Sequence, residues 1–141
     1  MEPDHAMMTT PETARAVAAL LGPSFLVMGL SHLLQPEMWR RFFMELAERG
    51  EVGVLWRTAL FELWPAVLIL AFHWDWRWPG ALITLYGVAL SIKVSLSMLF
   101  PQIGLWSLRR AETTGAPGFV LAGAVLLGLG GLATARGYGV L

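Results

Sequence analysis

A carboxylic acid, a lysine and a histidine stand inside stretches of sequence that are otherwise apolar. Glu62 lies in LFELWPAV, at the centre of the run 54–72. Lys93, the chain's one lysine, lies in LSIKVSLSMLF, and His32 lies in GLSHLLQP near the end of an earlier apolar run. In hydrocarbon an unpaired charge at a helix centre costs ~2.5–3.5 kcal/mol on insertion scales. Such groups therefore pair with one another, and by default they mark a ligand or proton route. Glu62 with Lys93 is the pairing these residue types favour, with His32 able to hydrogen-bond either member. Trp64, two residues after Glu62, is placed to shape a pocket beside the acid. The chemistry open to this set is proton transfer by Glu62 or His32 and hydrogen-bond donation by Lys93. A pair that only fixes helix register is the plainer alternative. No metal site is expected: the three histidines fall at separate places, and neither HExxH nor a glycine-rich phosphate loop is present.

The segments that carry these residues suit lipid. Of 141 residues, 56% are hydrophobic and 14% charged, against ~45–50% and ~25% in soluble domains. Zero net charge leaves no footprint for nucleic acid, and the lack of cysteine removes disulfides and any thiol relay within the chain. Four runs are long enough to cross a hydrocarbon core, which takes ~20 helical residues: 14–34, 54–72, 80–100 and 117–135. The expected fold class is an all-α integral membrane protein, a four-transmembrane-helix bundle with residues 1–13 and 136–141 as tails. The first run starts late and lacks a small-x-small cleavage site, so it is expected to be a retained span.

The connections set the arrangement. Thr10-Pro11-Glu12 supplies an N-cap hydroxyl, a proline for the first helical position and an acid at the positive dipole end. Residues 36–49 predict an interfacial amphipathic helix along the membrane surface: Trp39, Phe42, Phe43 and Leu46 share one face, and Glu37–Arg41 and Glu45–Arg49 are opposite charges four apart. Pro36 opens it and Gly50 closes it. HWDWRWP at 73–79 is a short turn whose tryptophans suit the headgroup region. Lys and Arg near the span ends put Arg40, Arg41, Arg49, Arg57, Arg109 and Arg110 on one side and Arg15, Arg77 and Arg136 on the other. That asymmetry favours both termini outside.

The short 73–79 turn makes the second and third spans antiparallel. Counted from the same side, Glu62 then lies about eight residues in, ~12 Å, and Lys93 about seven residues in, ~10 Å. Arg57 is nearer that surface and expected to snorkel. Ser97 shares the face of Lys93. Pro65 and Pro23 each remove an amide donor from a span, and kinks there are expected to open a cavity between spans one and two. In the fourth span Ala124, Gly128, Gly131 and Ala135 form a small-residue stripe. It suits close packing within the bundle, a homo-oligomer or a membrane-complex partner.

The order of these features resembles the DoxX-like superfamily of small four-span bacterial membrane proteins. The resemblance runs over about residues 14–100. It rests on the first span followed by an amphipathic segment (GLSHLLQPEMWRRFF), the acid of LFELWPAVLIL, and the small-residue-rich WPGALITLYGVALSIKVSLSM. The fourth span adds only general hydrophobicity, and Lys93 has no place in the family pattern. The resemblance implies a bacterial inner membrane and a quinone-linked redox-accessory role. In that role His32, Glu62 and Lys93, with Trp64 nearby, contact a quinone head group. Lys93 donates to a quinone oxygen, and Glu62 or His32 handles a proton. Two other expectations stand beside it: an oligomeric transporter of protons or a small solute, and a purely structural membrane subunit.

Overall fold

The computed structural model describes residues 10–141; the acidic stretch before Thr10, expected as a tail, lies outside them. The described chain is helical, in the order α1 (Pro11–Leu34), α2 (Pro36–Glu48), α3 (Glu51–Arg57), α4 (Leu63–Phe72), α5 (Ala81–Leu99) and α6 (Pro101–Gly137). A π turn at Thr58–Glu62 joins α3 to α4. Pro11–Leu34, Glu51–Phe72, Ala81–Leu99 and Pro101–Gly137 are each long and apolar enough to cross a membrane. At the start of α1 the Thr13 amide donates to Thr10 Oγ1 at 3.2 Å, with Pro11 in the first helical turn and Glu12 beside it. The helix thus starts at Pro11, the first helical position expected from Thr10-Pro11-Glu12.

One helix departs from expectation. The third connection, between the third and fourth apolar runs, is helical and forms the first arm of α6. The backbone of α6 breaks at Gly115, with φ 65°, a conformation that costs a side-chain-bearing residue and not glycine. This divides α6 into arms at 101–114 and 116–137. The first arm buries Gly104, Leu108 and Ala111, steps of four and three that make one helical face. That face receives α2. Leu46, Val54 and Leu108 form a buried cluster with Phe42, Phe43, Ala47 and Leu105 around it. On the apolar face of α2 Leu46 is buried, and Trp39, Phe42 and Phe43 are half-buried. On its outer side Arg40 Nε donates to Glu37 Oε1 at 2.9 Å, so Glu37 takes the residue three along instead of Arg41. Among the described residues Glu45 and Arg49 form no ion pair.

The closest seam joins the first and last helices. α1 and the 116–137 arm run antiparallel, with Gly29 against Gly123 and Leu127, Leu26 against Gly130, and Ala19 against Gly137. A Cβ on Gly130 would come within 2.6 Å of the Leu26 amide nitrogen, and one on Gly123 within 2.8 Å of the Gly29 carbonyl. Only glycine allows backbones this near. The packing stripe is thus Gly123–Gly130–Gly137, spaced by seven, and not the stripe read from the sequence. Gly128 and Gly131 meet nothing within 4 Å; Ala124 is exposed and Ala135 half-buried. α4 and α5 form the expected hairpin, with Ile69 seated against Gly87. The main core, Val17, Ala18, Leu21, Phe25, Ile69, Ile83 and Ala133, lies between α1, α4, α5 and α6.

Candidate functional site

Pro65 determines the backbone around Glu62. A proline within a helix lacks an N–H and drives its ring toward the carbonyl four residues back, here that of Phe61. The helix absorbs this as one wide turn: the Leu63 amide donates to the Thr58 carbonyl, five residues back. In a regular α-helix residues five apart lie about 140° apart around the axis. Widening the turn brings Arg57 and Glu62 to the same side. Arg57 Nε lies 3.5 Å from Glu62 Oε1, and Arg57 is 1% exposed. The expectation that Arg57 snorkels to the surface is therefore wrong. Its guanidinium turns inward, where Nη2 donates to Ser97 Oγ at 3.3 Å and Nη1 to Ser107 Oγ at 3.4 Å. Ser97 comes from α5 and Ser107 from the first arm of α6, so three elements close around one cation.

The structure also brings Lys93 to Glu62. Lys93 Nζ donates to Glu62 Oε1 at 2.5 Å; the Glu62 side chain is 11% exposed and the Lys93 side chain 44%. The two cations differ in kind: Arg57 is enclosed, and Lys93 reaches the acid from the outer face of the bundle. Both act on the same carboxylate oxygen. Glu62 Oε2, Arg57 Nε and Thr58 Oγ1 are buried and make no hydrogen bond with any described residue. The Arg57 Nε contact has ion-pair distance without hydrogen-bond geometry. Buried polar groups in native proteins nearly all have partners, often water. Two of these orphans, Glu62 Oε2 and Arg57 Nε, belong to the ion-pair cluster itself, which carries one positive charge in excess.

His32 and Trp64 do not join this cluster. His32 is buried at the other side of the aromatic layer: its Nδ1 is 2.8 Å from the Met28 carbonyl, and its ring stacks on Trp39 with centroids 4.2 Å apart. Trp39 in turn donates to Ser31 Oγ at 2.9 Å and meets Phe42, Phe43 and Phe61 edge-on. The close approach of Gly123 to the His32 Cβ holds the histidine under α6. Trp64 is 63% exposed. A groove of about 460 Å³ follows Pro23, Ser24, Val27, Met28 and Ser31, all of α1. Among the described residues no group of three or more His, Cys, Asp or Glu side chains is gathered to hold a metal ion.

Sequence reasoning missed Arg57, Thr58 and Ser107. The signal for Arg57 was Pro65 itself, since the displaced turn that a proline requires carries residue 57 round to residue 62. Comparison with protein-family models, with curated proteins and with solved structures found no match.

Proposed function

We propose that the chain is a multi-pass membrane protein whose Arg57–Glu62–Lys93 cluster holds the carbonyl head group of a quinone, as part of a redox-accessory subunit. The carrying observation is the carboxylate of Glu62, held through Oε1 by two cations while Oε2 stays buried without a partner. Such a group sets a proton-accepting oxygen beside strong N–H donors, which is what a head group alternating between carbonyl and hydroxyl requires. A bound quinone would supply two-electron, two-proton redox chemistry. Lys93 and Arg57 donate toward its oxygen, and Glu62 takes or returns a proton at Oε2. Lys93, half open on the outer face, gives access from the apolar phase. His32 and Trp64 are assigned no part.

In this reading α2 and the 101–114 arm form a cap at the cytoplasmic interface, the termini lie outside, and the membrane is a bacterial inner membrane, as the DoxX-like resemblance implies. Copies associate through the outward stripe Ala124–Gly128–Gly131. The open space at Gly128 and Gly131 also supports a second reading, transport of protons or a small solute by an oligomer; uptake into liposomes that stops with Glu62→Gln distinguishes it.

The test is mass spectrometry of small molecules retained by the protein purified in mild detergent. A quinone is expected with the wild type and is depleted in Glu62→Gln and in Lys93→Gln. The second variant removes only the half-exposed partner and so keeps the fold. No quinone in the wild type, or equal retention in folded Lys93→Gln, would overturn the reading.

A further inference from the structure

At the other end of the bundle, eleven residues or about 16 Å along the helix from Glu62, the start of α1, the 73–79 turn and the end of α6 enclose a second cavity. Its volume is about 320 Å³, and its lining includes Thr10, Arg15, His73, Asp75, Arg77 and Arg136. Among the described residues three guanidinium groups line it against the Asp75 carboxylate and the terminal carboxylate of Leu141, which leaves one positive charge in excess.

The side-chain carboxylate is already occupied. Asp75 Oδ2 accepts from Arg136 Nη2, and Asp75 Oδ1 accepts from the Arg77 amide at 2.9 Å. The turn that presents it is fixed by Thr84. The Thr84 hydroxyl lies 2.9 Å from the carbonyls of both His73 and Asp75, and it receives the Asp75 amide at 3.2 Å. The exposed Arg15 guanidinium lies beside Gly139, whose φ of 76° suits glycine. Among the described residues neither Arg15 nor Arg77 has a carboxylate within ion-pair distance. The arrangement is a braced turn carrying one neutralised pair, with two further guanidiniums at the cavity. Planar guanidinium forks match phosphate oxygens two at a time. Trp74, Trp76 and Trp78, all about half or more exposed, ring the same end with side chains that favour the headgroup layer.

We infer that this cavity is an anion site for a phosphate group, held by Arg15 and Arg77 with Arg136 behind them, and that its natural occupant is the phosphodiester of an anionic lipid. The site is independent of the Glu62 cluster. Free phosphate presents the same oxygens, so the experiment separates the two sources. The full chain in neutral detergent is titrated with phosphatidylglycerol, with phosphatidylcholine and with inorganic phosphate, and bound adducts are counted by native mass spectrometry. The variants are Arg15→Gln/Arg77→Gln and, as a control at the opposite end, Arg109→Gln.

Phosphatidylglycerol is expected to bind in preference to phosphatidylcholine. The double variant should lose at least about tenfold in affinity, because each removed group made a charge-assisted hydrogen bond. Arg109→Gln should lose nothing. Saturation by inorganic phosphate alone, with the same loss in the double variant, would uphold the phosphate site and overturn the lipid as occupant. Failure of every probe to bind, or binding unchanged in the folded double variant, would overturn the site.

Discussion

Removing the charge of Glu62 tests which of its two partners matters for stability. In Glu62→Gln, Arg57 stays 1% exposed with only two serine hydroxyls as acceptors. Breaking a buried ion pair from one side costs about 3–5 kcal/mol, because the remaining charge stays buried. Lys93, whose side chain is 44% exposed, lies near enough to the span end for its four-carbon stem to carry the ammonium toward the interface once the acid is gone; its share is therefore set smaller, about 0.2–1 kcal/mol. Two double-mutant cycles follow from this difference. Arg57→Met added to Glu62→Gln should recover most of the loss, whereas Lys93→Met added to Glu62→Gln should recover less than about 1 kcal/mol. The assay is equilibrium unfolding in mixed micelles, followed by tryptophan fluorescence. Equal recovery by the two second-site changes, or strict additivity in the Arg57 cycle, would refute the reasoning, because the buried cation would then not depend on the acid.

The glycine seam makes a sharper contrast than any polar site. Gly130→Leu should prevent α1 from docking and unfold or rearrange the bundle, whereas Gly128→Leu and Gly131→Leu should change the stability of a single chain by no more than about 0.5 kcal/mol; thermal melts of the three proteins check this. If Gly128 and Gly131 join copies, the same two variants lose assembly in size-exclusion chromatography while keeping their helix content. His73 sets a pH dependence. Burial holds its imidazole below the usual histidine range, with Asp75 opposing and Arg136 reinforcing the shift. A histidine kept neutral by folding contributes stability in full above about pH 6.5, and that contribution is lost as pH falls from there through the lowered value. Melting temperature should therefore drop between pH 7.5 and 5.5, and His73→Asn should flatten the drop; Arg15 and Arg77, the other charges at that cavity, do not titrate in this window.

Much of the frame was legible because it depends on counting. Run length gave the four long apolar helices, and a seven-residue turn between two of them forced an antiparallel hairpin. Equal depth on antiparallel helices then brought Glu62 and Lys93 together. What failed depends on rotation about a helix axis. Arg57 was misplaced because regular α geometry was assumed through a proline turn. His32 was grouped with the acid because both lie near one end of the bundle, but Gly123 and Trp39 fix the histidine on a different face. The small-residue stripe was read from one helix alone. Gly22 and Gly29 repeat in α1 at the same spacing of seven as Gly123, Gly130 and Gly137, and matching the two helices would have found the seam. The 101–114 arm was missed because glycine and alanine at two of its three buried positions gave little hydrophobic signal.

The seam between α1 and the second arm of α6 also has a consequence in time. Gly22 and its partner Gly130 are separated by about a hundred residues, and ribosomes add ~5–20 residues per second. The grooved face of α1 is therefore complete some 5–20 s before the helix that fills it has been made. Through that interval it matches the finished arm of any neighbouring copy as well as its own. Gly115, where the chain turns through a left-handed conformation, is the pivot about which an arm would swing to reach a neighbour. Exchange of the last helix between nascent chains is the misassembly this architecture invites, and crowded synthesis is the condition that favours it.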